Sequence, residues 1–242
     1  MQTHHPYLEH SLAVLQARLM TPTPEVQVAP KAGVHPFVTF SREVCAGATT
    51  VSLLLMPMLN KAFGEEGQGW VLLDKNLLAH ALTRQNLEER LADYLPEDRI
   101  SEIRGAIGEL MGLHPSLWQL EHQVAEMILQ LAHVGRVLFV GRGAHVITQS
   151  VPGGFHVRLV APLETRIRRL MDMENCSAAA AEAAIQKTDL ARRRHLQSHF
   201  EQDIDDPHSY DLVINTGRIS AAAAAHLVIE GMRSKFAGQP VS

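Results

Sequence analysis

Along the chain, short runs of β-branched, aromatic and other apolar residues alternate with longer segments whose apolar positions recur at helical spacing. Phe37-Val38-Thr39-Phe40, Trp70-Val71-Leu72-Leu73, Arg136–Val140, Phe155–Val160 and Tyr210–Ile214 predict five strands. A helical stretch follows each run, which predicts an α/β fold whose parallel sheet is covered on both faces. The first of these helices is expected from Thr49 to Phe63, with Val51, Leu54, Leu55, Met58 and Leu59 toward the core. Pro57, which lacks an N–H, is expected to kink that helix or end it early.

Pro6 to Met20 carry Leu8, Leu12, Val14, Leu15 and Leu19, the pattern of an amphipathic N-terminal helix. Thr21-Pro22-Thr23-Pro24 and the stretch from Pro30 to Pro36 then read as an extended linker. Two parts are therefore expected: 1–35, helix plus linker, and a main domain over 36–242. Lys75 to Val134 is helical with breaks at Pro96 and Gly112–Pro115, so it reads as an insertion of several helices. The alanine runs Ala178–Ala184 and Ala221–Ala225 predict helix, because alanine has the highest helix propensity.

Composition narrows the classes. With 46% hydrophobic and 20% charged residues the chain is an ordinary globular one, long enough to bury a single large core. A net charge of −4 gives no support for non-specific nucleic-acid binding. No apolar run has the length of a membrane span and the start lacks a secretory pattern, so no membrane partner is expected and the cytoplasm is the expected location. Cys45 and Cys176 are too few for a disulfide framework and read as reduced thiols. The 14 histidines include no HExxH, and His195 and His199, one helical turn apart, read as a solvated face.

The candidate chemistry begins after the first strand. A phosphate-binding loop needs backbone amides that wrap phosphates between a buried strand and the start of a helix, classically GxxxxGK[ST]. Here that position holds Ser41-Arg42-Glu43-Val44-Cys45-Ala46-Gly47-Ala48-Thr49-Thr50. Gly47 and Thr49 occupy the second-glycine and hydroxyl positions, while Arg42 replaces the first glycine and Ala48 the lysine. The candidate nucleotide-binding set is thus Ser41, Cys45, Ala46, Gly47, Ala48, Thr49 and Thr50, with the Thr49 hydroxyl for Mg²⁺.

The opening Val38-Thr39-Phe40-Ser41-Arg42-Glu43 resembles that of the cytidylate kinase-like family, in which a loop without the usual lysine is common. Leu73-Asp74-Lys75, Val140-Gly141-Arg142-Gly143, Ala161–Ile167, Ile185–Asp189 and Asp206–Thr216 resemble later motifs of that family, in family order over most of the main domain. The resemblance implies a P-loop kinase three-layer sandwich with a five-stranded parallel sheet, a helical acceptor-binding insertion and a lid. It also implies ATP and Mg²⁺ as cofactors, nucleotides as substrates, and CMP or dCMP as the favoured acceptor.

Phosphoryl transfer works mainly by positioning and by cations around the transferring group. Arg166 matches a family arginine that clamps phosphates, with Arg169 a weaker candidate on the same helix. Arg142, after a strand end, would contact the acceptor; Lys187 and Asp189 would join it from the lid. Between Arg158 and Arg194 there are 8 Lys+Arg against 5 Asp+Glu, a local basic excess that suits polyphosphate. Asp74 is either the acceptor-side carboxylate or the cap of a following helix. Arg42, or a lid arginine such as Arg192, is the candidate replacement for the absent lysine charge. A nucleotide-binding protein without turnover, a kinase for another small acceptor, and an interaction module that pairs copies through the N-terminal helix stay open beside the kinase.

Overall fold

The computed structural model describes residues 35–64, 69–74 and 117–237. The expected N-terminal helix, with the self-association proposed for it, the linker, and the helices expected between 75 and 116 lie outside the described residues. The five expected strands form: β1 (Phe37–Arg42), β2 (Val71–Leu73), β3 (Val137–Val140), β4 (Gly154–Val160) and β5 (Leu212–Asn215). They make one parallel sheet in the order β2-β3-β1-β4-β5. The helices are α1 (Ala48–Phe63), α2 (Leu117–Val134), α3 (Ala144–Ile147), α4 (Leu163–Glu174), α5 (Ala178–Phe200) and α6 (Ala221–Lys235).

Alternation along the strands assigns the layers. Side chains two apart share a face of a strand, so Val38 and Phe40 pack with Leu55 and Leu59 of α1 and Val228 and Met232 of α6. Phe37, Val137 and Phe139 face the other way, against Ile128 and Leu131 of α2. The result is the expected three-layer α/β sandwich. Both faces of the sheet are buried, as strands made of continuous apolar runs require.

Two details of α1 differ from the sequence expectation. The helix runs through Pro57 to Phe63. Pro57 is exposed, so the carbonyl that loses its partner is on the side that water can reach. The inward stripe is also rotated: Met56 is buried and Leu54 is 41% exposed. Both alanine runs are helical, and each helix starts on a serine whose hydroxyl accepts an amide three residues on, Ser177 from Ala180 and Ser220 from Ala223.

The strand order places the site. From β1 the chain moves to β2 on one side of the sheet, and from β3 it crosses to β4 on the other. Connections that diverge in this way leave a crevice at the carboxyl ends of the strands, beside β1. The paired helices α4 and α5 close over that end: Leu170, Ala181 and Ile185 form a small core of their own, against which Val44 and Cys45 of the loop pack.

Candidate active site

The segment from Glu43 to Gly47 connects β1 to α1, and it is shaped by bonds to its carbonyls. Thr216, just past β5, donates its hydroxyl to the Ala46 carbonyl at 2.8 Å. Arg169 donates to the Cys45 carbonyl at 3.0 Å, and Arg166 reaches the Val44 carbonyl at 3.5 Å. A trans peptide is planar with N–H opposite C=O, so carbonyls turned toward α4 and β5 turn the amides of Cys45 and Gly47 the other way. Cys45 (φ 58) and Gly47 (φ 81) are left-handed, the backbone alternation that gathers successive N–H groups into an anion-binding concavity. Gly47 then caps α1, whose first-turn amides and positive dipole end add to the same surface. Thr49 and Thr50 are exposed in that first turn. The loop thus turns the amides of Cys45 and Gly47 away from α4 and β5 although two of its signature residues are replaced.

Around it the expected residues fall into two groups. Arg42, Arg142 and Arg192 meet in one cleft with Ser41, Gly141 and His145. Arg192 donates to the Arg42 carbonyl at 3.1 Å, which brings α5 onto the end of β1. The Arg42 guanidinium lies across Gly141, where a β-carbon would collide with it. Gly141, Arg142 and Gly143 are three successive left-handed residues, with φ of 87°, 60° and 64°. An L-residue in that region costs about 1 kcal/mol or more, so the turn holds Arg142 at the cleft against a local backbone preference. None of the described lining residues is acidic.

The second group lies under the loop. Arg166 was expected on the phosphates, but it is buried and holds the loop from below: it donates to the Ala161 carbonyl at 2.9 Å and to the Asp189 carboxylate at 2.5 Å, with Glu43 at 3.4 Å. Asp189, expected on the acceptor, also accepts the Val44 amide at 2.8 Å. One Asp189 oxygen thus ties α5 to the loop and the other ties it to Arg166 of α4. Arg169, the weaker candidate, donates to the Cys45 carbonyl and to both the hydroxyl and the carbonyl of Thr216. Lys187 points to solvent on α5, and Asp74 stands half-buried at the end of β2. The Cys45 thiol is pushed up by burial and by the Glu174 charge, so it is not an activated nucleophile.

Sequence reasoning missed the wall behind the cleft. Arg158, buried in β4, donates to the Ser41 hydroxyl at 2.9 Å and to Asp205 at 2.6 Å. Arg193 of α5 donates to the same carboxylate at 2.7 Å. Burial works against the ionised Asp205, yet the hydrogen bond from Arg193 and the Arg158 charge outweigh it and hold the carboxyl below its usual range. Tyr210 donates to the Ile204 carbonyl at 2.8 Å and stacks on His145 at 4.8 Å between centroids. Burial, then the charges of its neighbours, lower His145 to about 3, so it is a neutral ring at neutral pH. An arginine facing inward on a strand that reads as apolar was the available signal for this network. His195 is also corrected: it is half-buried and lines the cleft, with its ring 4.5 Å from that of His199.

A stretch of 118 residues is 29% identical to uronate isomerase of Corynebacterium glutamicum and covers 49% of this chain and 23% of that one. Another, of 74 residues, is 30% identical to cytidylate kinase of Halobacterium salinarum and covers 31% of this chain and 38% of that one. The chain thus spans well under half the length of either relative. An uncharacterized protein from Eubacterium ventriosum shares the fold over 83% of this chain and 99% of its own, with a TM-score of 0.61 at 18% identity. Among the described residues no helix is long and apolar enough to cross a membrane. The profile of the cytidylate kinase-like family matches residues 37–218, most of the chain, and the chain belongs to that family.

Proposed function

We propose that this protein transfers a phosphoryl group from ATP to a nucleoside monophosphate, with CMP or dCMP the favoured acceptor. The observation that carries this is the convergence of Arg42, Arg142 and Arg192 in one cleft beside the amide-presenting loop. Three guanidinium groups gathered in one cleft, one of them Arg192 with Asp189 at 3.9 Å, suit a phosphate monoester, which arginine binds through paired hydrogen bonds.

In this reading the amides of Cys45 and Gly47 and of the first turn of α1 hold the donor phosphates. Ser41 and Arg42 pass from loop to cleft, so donor and acceptor sites share a wall. Thr49 would hold Mg²⁺ together with phosphate oxygens and water, a usual arrangement for this ion. When bound, Mg²⁺ supplies charge neutralisation at the transferred group. Arg192 sits on α5, the lid helix, so closure of α5 brings its charge to the junction between the two sites. The H. salinarum relative is a cytidylate kinase, which supports a pyrimidine nucleotide as acceptor.

Ala48 supports a second reading, a protein that binds nucleotide without turnover. The lost lysine should cost several kcal/mol of transition-state stabilisation unless another cation acts in its place. The deciding assay supplies ATP, Mg²⁺ and CMP, dCMP, UMP, AMP or GMP separately and follows diphosphate product. Turnover with one acceptor that Arg142→Ala weakens through KM supports the kinase. ATP binding with no turnover on any acceptor favours the silent protein.

A further inference from the structure

The loop lacks its lysine, but it does not lack a cation. Arg169 lies on the protein side of the loop, 3.6 Å from where a β-carbon of Gly47 would stand. Its three hydrogen bonds go to the Cys45 carbonyl (3.0 Å), the Thr216 hydroxyl (3.2 Å) and the Thr216 carbonyl (2.8 Å). All are uncharged acceptors. Arg166, one turn earlier on α4, is in contrast paired with Asp189 and Glu43. The charge of Arg166 is therefore cancelled locally, whereas among the described residues Arg169 has only neutral hydrogen-bond acceptors.

Thr216 fixes where Arg169 can go. It is 6% exposed, and its amide donates to the Val160 carbonyl at 2.8 Å, which continues the ladder between β4 and β5. The single hydroxyl proton has a near acceptor in Ala46 at 2.8 Å and a farther one in Val160 at 3.3 Å, so it belongs to Ala46. The hydroxyl oxygen then accepts from Arg169. Sheet, hydroxyl, guanidinium and loop carbonyls are joined in that order.

We propose that Arg169, oriented by Thr216, stands in for the missing loop lysine: it is a positioning residue that turns the loop amides toward phosphate and places a positive charge beneath them. This rests on the loop binding a nucleotide polyphosphate, and it replaces the expectation that Arg42 or a lid arginine fills that role. A lysine on α1 would touch the phosphates, whereas Arg169 acts through the loop. Its effect should thus scale with the number of phosphates and with ionic strength, because it is partly Coulombic and partly orientational.

The test measures binding of ATP and AMP to the full chain by calorimetry at low and at high salt, for wild type, Arg169→Met, Arg169→Lys, Thr216→Val and Thr216→Ser. Thermal midpoints are recorded in parallel. Arg169→Met is expected to weaken ATP binding at least tenfold and AMP binding far less, and to flatten the salt dependence of ATP affinity. Arg169→Lys should keep the salt dependence. Thr216→Val, close in shape, should weaken ATP about tenfold, and Thr216→Ser should restore it. A fold defect alone would lower midpoints and leave the salt slope unchanged, which overturns the proposal. Wild-type affinity in Arg169→Met, or equal losses in Thr216→Val and Thr216→Ser, also overturns it. Absence of ATP binding in wild type would overturn the nucleotide reading itself, and with it this inference.

Discussion

The tie between α5 and the phosphate loop can be measured. Arg166 and Asp189 have side chains 9% and 21% exposed, and their ion pair is supplemented by the Val44 amide on the carboxylate and the Ala161 carbonyl on the guanidinium. Removing one partner of a buried pair costs roughly 3–5 kcal/mol, because the other charge remains desolvated. Glu43, 3.4 Å from Arg166, still offsets part of that charge in Asp189→Ala. The low end, about 3 kcal/mol, is therefore expected. For a domain of this size that corresponds to a fall of about 6–12 °C in Tm. Replacing both partners by apolar residues, as in Arg166→Met with Asp189→Leu, removes the stranded charge and should recover much of the loss. Urea denaturation of Arg166→Met, Asp189→Leu and the double variant gives the coupling energy as a double-mutant cycle. Coupling of about 2 kcal/mol or more is expected from a pair in contact and shielded from water. Additive losses, or an Asp189→Ala cost below about 1 kcal/mol, would refute the structural role and return Arg166 to the phosphates.

The cleft makes further demands. Gly141→Ala forces a β-carbon into the Arg42 guanidinium at a left-handed position, so acceptor KM should rise at least tenfold and stability should fall by about 1–2 kcal/mol; unchanged KM would show that Arg42 does not serve the acceptor. Arg42→Ala should raise acceptor KM while leaving ATP affinity near wild type, since Arg169 and not Arg42 is placed under the loop; equilibrium dialysis with ATP checks this. Burial lowers His145 to about 3 and His156 to about 4, against an ordinary value of 6.5. Both rings are neutral in the fold, so between about pH 4 and 6.5 the unfolded chain binds more protons. Their contribution to stability is complete above 6.5 and declines as pH falls, by up to ~1.4 kcal/mol per unit for each ring. Urea midpoints between pH 7.5 and 5 should show this fall and His156→Gln should flatten it; a flat wild-type profile would contradict it.

The five strands and the helices α1, α5 and α6 were legible in the sequence because apolar runs and alanine-rich stretches are local signals. Pro57 does not end α1 early, because the helix exposes it and the carbonyl it leaves unbonded can reach water. The place of the candidate loop, after the first strand and before a helix, was legible by position and not by letters. What sequence could not rank was the arginines. Arg166 and Arg169 are three residues apart and equally basic, and motif matching favoured Arg166. Their roles depend on Asp189, 23 residues beyond Arg166 on α5, and on Thr216 beyond β5, which only the fold brings to the loop.

That pairing bears on how a loop without lysine can work. A lysine on the first turn of α1 would need a flexible stem to reach the phosphates, and its charge would be held by the ligand alone. Here the positive charge is built into the floor of the loop and fixed by carbonyls and a threonine. Such a site loses less side-chain entropy when nucleotide binds, since Arg169 is already ordered. It also cannot follow the transferred phosphoryl group as a mobile lysine can. In the proposed kinase, the moving charge would come from α5, where Arg192 is bonded to the end of β1 through the Arg42 carbonyl. The two tasks separate experimentally: Arg169→Met should act mainly on ATP affinity, and Arg192→Met mainly on kcat. If Arg192→Met instead raised only the ATP KM and left kcat intact, the division of labour between floor and lid would be wrong.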